Sequence, residues 1–422
     1  MIQSISNPFG VTIRPKPPTV GAPSWVPPVG FFADVPMTNM PQDVLPAIYR
    51  PTPNDTYAMT SPFTLWGGSA FLRDYSALGA QVYYSAGHEA SVNQPNIQLS
   101  LICDFSTLTW SVANVPAQAN PLSVFVNGYA PDGSAYCPHT YLGLQELPSA
   151  WGGGLKGTLV SFFFAASGFE PKVNLLDVSK ASYGYSKLAT RQPQNADPTK
   201  IRFNAASSGE TYPITVTDPT RQGWWAAIPN SAQYTLFISK TGEITQYPAL
   251  GGSLSNAALV LCGSLNLLIA VDGGYEAGKY AGTGYRSLHI RDVNTGVVTK
   301  SLTLGTVPSL VDGYDGGTLN FHRADVMGLQ WCEQLRCIVG YDQSTTPPRI
   351  VKLSPPATGN PAVEPWTWGV IPVAHSSQDV GGQATLQSAV SNIWSKFRFI
   401  PTLGAFVVGT ARDRRPQVIR LF

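Results

Sequence analysis

The sequence predicts an all-β fold, a β-propeller of six blades with seven as the alternative count, and three observations carry that expectation. Forty glycines and 36 prolines accompany a charged share of only 12%, which denies the chain the solvated faces that long helices need. Ten Trp, 18 Tyr and 18 Phe suit pleated, half-buried strands. A unit of strand, short turn, apolar strand, loop and further strand recurs along the chain, and a fixed period with about four short strands per unit marks a propeller with long loops. Length alone, at 422 residues, would suggest two or three domains, but propellers grow by adding blades around one axis.

Residues 1–29 read as an extended arm. Pro15, Pro17, Pro18, Pro23, Pro27 and Pro28 fix φ and remove amide donors, which disfavours a sheet. The arm is expected to lie against the propeller or a neighbouring subunit, with Pro15, Pro17, Pro18 and Trp25 as partner-binding residues. Residues 30–422 form the propeller.

Its last three units are the most regular. They run through Ala257-Ala-Leu-Val-Leu and Leu265-Asn-Leu-Leu-Ile-Ala-Val, then Leu335-Arg-Cys-Ile-Val-Gly and Arg349-Ile-Val-Lys-Leu, then Lys396-Phe-Arg-Phe-Ile and Ala405-Phe-Val-Val. Leu267, Leu335 and Leu403, taken as second-strand residues, recur every 68 positions. Earlier units begin near Gly67, Thr140 and Gly223, the third of these being the least regular. The final unit lacks an outermost strand before Phe422. Gly30-Phe-Phe-Ala-Asp-Val-Pro is expected to supply it, closing the ring and removing a free sheet edge.

Composition also sets limits on function. A net charge of +2 provides no field to hold nucleic acid or an anionic membrane. Arg412, Arg414 and Arg415 beside Asp413 read as a solvated hairpin loop. Cys103, Cys137, Cys262, Cys332 and Cys337 are odd in number and show no zinc spacing. Those inside apolar runs behave as small buried hydrophobes, which favours a reducing site of synthesis; a Cys332–Cys337 bridge across a tight turn stays open. The first ten residues lack a basic stretch followed by an apolar one, so no secretory signal is expected. The apolar stretches 157–169 and 257–271 are too short or broken to span a bilayer.

Several motifs together resemble a known family. Trp66-Gly-Gly-Ser-Ala-Phe, Ser85-Ala-Gly-His88, Asp104-Phe-Ser-Thr-Leu-Thr-Trp110, His139-Thr-Tyr-Leu-Gly-Leu and the run from Lys396 to Val408 are similar to the kelch-type propellers related to galactose oxidase. Such propellers occur, mostly uncharacterised, in proteobacterial and phage genomes. The resemblance spans about residues 30–422 and implies the propeller fold. Where that family carries a glycine run before its first histidine, this chain has Tyr84-Ser-Ala-Gly.

Catalytic sets are not apparent in the sequence. A copper-radical oxidase needs converging histidines and tyrosines, but His88, His139, His289, His322 and His375 each stand in a different segment. A glycosidase needs two opposed carboxylates, and Asp74, Glu89, Asp272, Glu276, Asp312, Asp315 and Asp325 are scattered among turn signals. Asp272-Gly-Gly and Asp312-Gly-Tyr-Asp lack the spacing of a calcium loop. Phosphate-loop, nucleophile-elbow and zinc-helix motifs are missing.

The expectation is therefore a non-enzymatic structural or interaction propeller, without cofactor or metal. It would be a bacteriophage virion component of the tail, neck or capsid surface, assembled in the host cytoplasm. Its partners would be other virion proteins or its own subunits. A glycan-binding propeller is the alternative, with Tyr275, Tyr280, Tyr314 and Trp366 as a surface platform. An oxidase of the galactose-oxidase type or a hydrolase is the second alternative.

Overall fold

A computed structural model describes residues 22–46, 67–84, 99–115, 140, 142–165, 172–182, 185–188, 210–211, 214–227, 234–251, 257–271, 287–305, 327–342, 347–374, 393–409 and 414–422. It is nearly all-β, with several four-stranded antiparallel sheets in a propeller-like arrangement. The chain begins with β1 (Phe32–Asp34) and a one-turn helix, α1 (Pro41–Val44). The first set of strands is β2 (Gly68–Leu72), β3 (Ala80–Tyr84), β4 (Ser100–Asp104) and β5 (Thr109–Ala113). The second is β6 (Leu144–Leu147), β7 (Thr158–Ala165), β8 (Lys172–Asp177) and β9 (Tyr185–Lys187), with β10 (Glu210–Thr211) pairing further along β7. The third is β11 (Ile214–Asp218), β12 (Gly223–Ala227), β13 (Tyr234–Ser239) and β14 (Ile244–Pro248).

The fourth set is β15 (Ala258–Cys262), β16 (Leu267–Val271), β17 (Ser287–Asp292) and β18 (Val298–Leu304). The fifth is β19 (Gln330–Cys332), β20 (Cys337–Asp342), β21 (Arg349–Ser354) and β22 (Trp366–Ile371). The last set is β23 (Phe397–Ile400), β24 (Ala405–Val408) and β25 (Gln417–Ile419), and its fourth strand comes from the other end of the chain. Phe32 pairs with Ile419, Ala33 with Val418 and Asp34 with Gln417. The strand expected between Gly30 and Pro36 is therefore present on β25.

Apolar clusters fill the gaps between neighbouring sets in cyclic order. Val35, Tyr83, Leu101, Trp110, Ile400 and Val407 join the last set to the first. Leu72, Val82, Leu144 and Leu159 join the first to the second. Phe162, Val173, Trp224 and Ile238 join the second to the third. Trp225, Leu259, Ile269, Ile338 and Trp366 belong to one cluster running through the third, fourth and fifth sets. Cys337, Tyr341, Phe397, Phe406 and Phe32 close the circuit from the fifth to the last. Alternating side chains on each strand point to opposite sheet faces, so every sheet packs on both sides. The stacked rings of Phe397 and Phe406, 4.9 Å apart, add about 0.5–1.5 kcal/mol beyond their burial.

One backbone feature recurs in every set. The residue just before the second strand has positive φ: Gly79, Gly157, Gln222, Asn266, Arg336 and Gly404. Three of these are not glycine, so this turn geometry is imposed by the hairpin around it. It also corrects the expected repeat. Leu265, Leu335 and Leu403 each stand one residue before this turn position, whereas Leu267 lies inside β16; the 68-residue register paired a strand residue with two turn residues. The third unit also begins earlier than expected, at Ile214 rather than Gly223, because its first strand alternates Thr with apolar residues and lacks an apolar run.

The two ends of the sheets differ. Four first-to-second strand connections are short (219–222, 263–266, 333–336 and 401–404), as are several third-to-fourth ones (105–108, 240–243 and 293–297). At the opposite end lengths vary, from 166–171, 228–233 and 343–348 to the long connections 85–99, 114–143, 272–286, 305–329 and 372–396. No helix among the described residues is long and apolar enough to cross a membrane.

Candidate functional site at the ring axis

The first strand of each set has one edge paired and the other facing inward. Backbone groups on that inner edge need partners wherever water is excluded, and side chains from neighbouring sets supply them. Ser69 is the clearest case: its N–H donates to Ser395 Oγ at 2.8 Å, and its carbonyl accepts from Arg398 Nη2 at 2.7 Å. The same Nη2 also donates to the carbonyl of Leu144 at 3.2 Å, so Arg398 of β23 reaches β2 and β6 together.

The pattern continues around the axis. Gln145 Nε2 donates to the Thr215 carbonyl at 3.0 Å, and Thr217 Oγ1 donates back to Gln145 Oε1 at 2.8 Å. Gln330 Nε2 donates to the Phe397 carbonyl at 2.8 Å, and Phe399 N–H donates to Gln330 Oε1 at 2.9 Å. Gln81 Nε2 donates to Ser69 Oγ at 2.8 Å and to the Lys396 carbonyl at 2.7 Å. Ser69, Gln145, Thr215, Gln330 and Arg398 all fall within the first two positions of their strands. They therefore form a polar collar toward the end bearing the long connections.

Two cations stand out in this collar. Lys396 is fully buried, and burial holds its ammonium down to about 7. Burial likewise pushes the Arg398 guanidinium down to about 10. Arg398 keeps some surface as a whole, yet its Nε is shut off from solvent and has no hydrogen-bond partner among the described residues. Gln81 Oε1 is similarly closed off and without a partner there.

Several acids of the described strands are tied up structurally. Glu146 of β6 meets Arg73 Nε at 2.7 Å; its carboxyl is raised by burial, which outweighs the opposing pull of Arg73. Asp218 binds Arg221 Nη1 and Trp225 Nε1, each at 3.0 Å, and Asp342 binds Arg349 Nε at 2.6 Å. Asp104, Asp177 and Asp292 cap turns, each accepting the N–H two residues on. No group of three or more His, Cys, Asp or Glu is arranged to hold a metal among the described residues. His289 is buried in β17. Cys332 and Cys337 face each other in register and are free thiols.

The expected site residues are only partly brought into view. Pro15, Pro17, Pro18, Tyr275, Tyr280 and Tyr314 lie outside the described residues. Trp366 is corrected from surface platform to core. It is fully buried, its Nε1 donates to the Pro361 carbonyl at 2.8 Å, and its ring meets Trp331 edge-on at 6.4 Å. Trp25 is half-buried against the cluster that contains Val35 and Trp110, so it packs on its own chain. Trp110 packs on Tyr83 at 5.6 Å, as a blade-packing residue should. Sequence reading missed the collar because Ser, Gln and Thr scattered at strand starts carry no motif. Arg398 sat in view within Lys396-Phe-Arg-Phe-Ile, where the only available signal was two cations in an otherwise apolar strand.

No protein-family model matches the chain, and no curated protein matches it either. Among solved structures, Penicillium chrysogenum α-L-arabinanase complexed with arabinobiose aligns at 12% identity with a TM-score of 0.41, covering 92% of this chain and 96% of that one. A structural-genomics protein of unknown function from Bacteroides thetaiotaomicron aligns at 12% identity with a TM-score of 0.29, covering 70% of this chain and 65% of that one. The first of these neighbours is an enzyme by its description. The expectation that this chain is not an enzyme is corrected by that finding and is withdrawn.

Proposed function

We propose that the chain is a six-bladed propeller of the kelch and galactose-oxidase type that recognises a saccharide at its axis. The carrying observation is the polar collar of Ser69, Gln145, Thr215, Gln330 and Arg398, held by bonds between different sets on the side of the long connections. Fixed polar groups gathered from several strands of a rigid scaffold are a common plan of binding and active sites. A glycan array with the purified chain, followed by a reducing-end assay on each hit, tests the reading. Binding above background is the expected result, and the second assay separates recognition from turnover. An array without binding to any saccharide overturns it.

A second reading has its own observation. Val29 and Phe31, where the arm meets the sheet, are 51% and 47% exposed. Apolar side chains at that place favour docking of the rim onto another subunit or protein. Such an assembly, with a cytoplasmically built phage particle as the instance first considered, is a proposal to which the comparisons lend no support. Light scattering on the purified chain tests it: a monomer unchanged by Phe31→Asp would remove it.

A further inference from the structure

We infer that the end opposite the collar carries a self-association surface, where a second copy of this chain docks about a two-fold axis through the loop bearing Leu155. The connection between β6 and β7 runs over residues 148–157, whereas the matching connections 219–222, 263–266, 333–336 and 401–404 are shorter. Its backbone is closely held. Trp151 N–H donates to the Pro148 carbonyl at 2.9 Å, and Gly157 N–H donates to the Gly154 carbonyl at 2.8 Å. Gly154 N–H donates to Thr158 Oγ1 at 2.9 Å. A Cβ on Gly153 would collide with the Leu147 carbonyl oxygen, so glycine lets the loop press onto the end of β6. This ordered loop holds Leu155 at 92% exposure. A lone exposed leucine is ordinary on a protein surface. One fixed outward on an added, internally bonded loop is pre-ordered for a partner, because little entropy is lost when it docks.

The surroundings of Leu155 contain both halves of each contact that such an axis needs. Tyr75 and Trp151 are half-buried and offer aromatic surface; Trp151 is fixed edge-on against Trp224 at 6.3 Å. Lys156 Nζ stands over the Tyr75 ring at 4.8 Å, and no carboxylate among the described residues pairs with it. Asp74 ties the two loops together by accepting from Ser149 N–H at 2.7 Å and from Ser149 Oγ at 2.9 Å, both through Oδ2. Its Oδ1 takes no donor among the described residues. Across a two-fold axis, Leu155 of one copy packs on Tyr75 and Trp151 of the other, and Lys156 meets Asp74, each contact being made twice. This self-complementarity selects a second copy over an unrelated protein, on which the apolar socket and the carboxylate would have to arise separately. The patch is small, so association in the micromolar to millimolar range is expected.

Sedimentation equilibrium of the whole chain from about 5 to 500 µM tests the inference, a span that brackets the affinity of a small interface. The expected result is a weight-average mass that rises with concentration towards that of two chains. Leu155→Asp alters an exposed side chain and should leave the thermal melt unchanged, while weakening association about tenfold or more. Lys156→Gln and Asp74→Asn, the latter keeping an acceptor for Ser149, should each weaken association. The double variant should lose no more than the larger single effect, since both remove one shared contact. Association of the wild type should also weaken as salt is raised. A monomer over the whole span overturns the inference. So does association that survives Leu155→Asp but is lost with Phe31→Asp, which would place the contact at the rim. Loss with Leu155→Asp, while Lys156→Gln and Asp74→Asn change nothing, overturns the two-fold pairing.

Discussion

Arg398 Nη2 and the carbonyl oxygen of Leu144 lie 3.2 Å apart, although 254 positions separate the two residues in the chain. A single guanidinium bonds the inner strand of its neighbour, β2, and the one beyond, β6. Only an inner-edge position near the axis lets a side chain of β23 meet both. Arg398→Met is therefore expected to cost stability as well as binding, because two carbonyls lose a donor at about 1–3 kcal/mol each. The urea midpoint should fall while the denaturant dependence stays unchanged. A variant as stable as the wild type would mean that water replaces the guanidinium.

Ring closure makes a sharp contrast between adjacent phenylalanines. Phe32 is 2% exposed and lies edge-on to Tyr341 at 6.2 Å, while Phe31 is 47% exposed. Phe32→Ala is expected to destabilise by about 3–5 kcal/mol, and Phe31→Ala by less than about 0.5 kcal/mol. Equal midpoints in chemical denaturation would show that β1 does not close the last sheet.

Asp218 is almost fully buried and accepts from Thr220 N–H, Arg221 N–H, Arg221 Nη1 and Trp225 Nε1. Asp218→Ala removes the acceptor of the buried Trp225 indole N–H and one acceptor of the half-buried Arg221, at about 1–3 kcal/mol for each lost partner. Asp218→Asn, which keeps one acceptor oxygen, should fall between that variant and the wild type. Thermal melts of the three proteins rank them.

Lys396 gives stability a pH dependence whose sign is fixed. Its folded value of about 7 lies below the ordinary 10.5, so between these values the unfolded chain binds more protons. Stability then rises with pH from about 7, by at most about 1.4 kcal/mol per pH unit. Near pH 9 the trend reverses, because burial raises the Cys103, Cys262, Cys332 and Cys337 thiols and the unfolded chain ionises its thiols first. Lys396→Met should flatten the rise between pH 7 and about 8.5 while keeping the later fall. A rise that persists in the variant would assign the effect to another group.

Much of the fold was legible because apolar strand runs bounded by Gly and Pro carry strong local signals. The closing strand at Phe32 was readable from the missing fourth strand at the C-terminus. The third set's first strand was not, since Ile214-Thr-Val-Thr-Asp spends alternate positions on polar groups that face the neighbouring set. The hairpin register slipped by two residues because Leu265 and Leu267 both look like strand leucines, and only the positive φ at Asn266 separates turn from strand. The collar was illegible for a deeper reason. Gln145, Gln330 and Arg398 acquire their roles from backbone groups of other sets, and nothing in a linear sequence reports such a meeting. Trp366 was misplaced because an aromatic residue near a loop reads the same whether it packs inward or outward.

Hydrogen–deuterium exchange with and without a saccharide that binds on the array is the most direct test of the axial site. Protection is expected together at the starts of β2, β6, β11, β19 and β23, segments far apart in sequence that share the collar. Protection confined to the short turns 105–108, 263–266 and 333–336, or to the outer strands, would contradict an axial site.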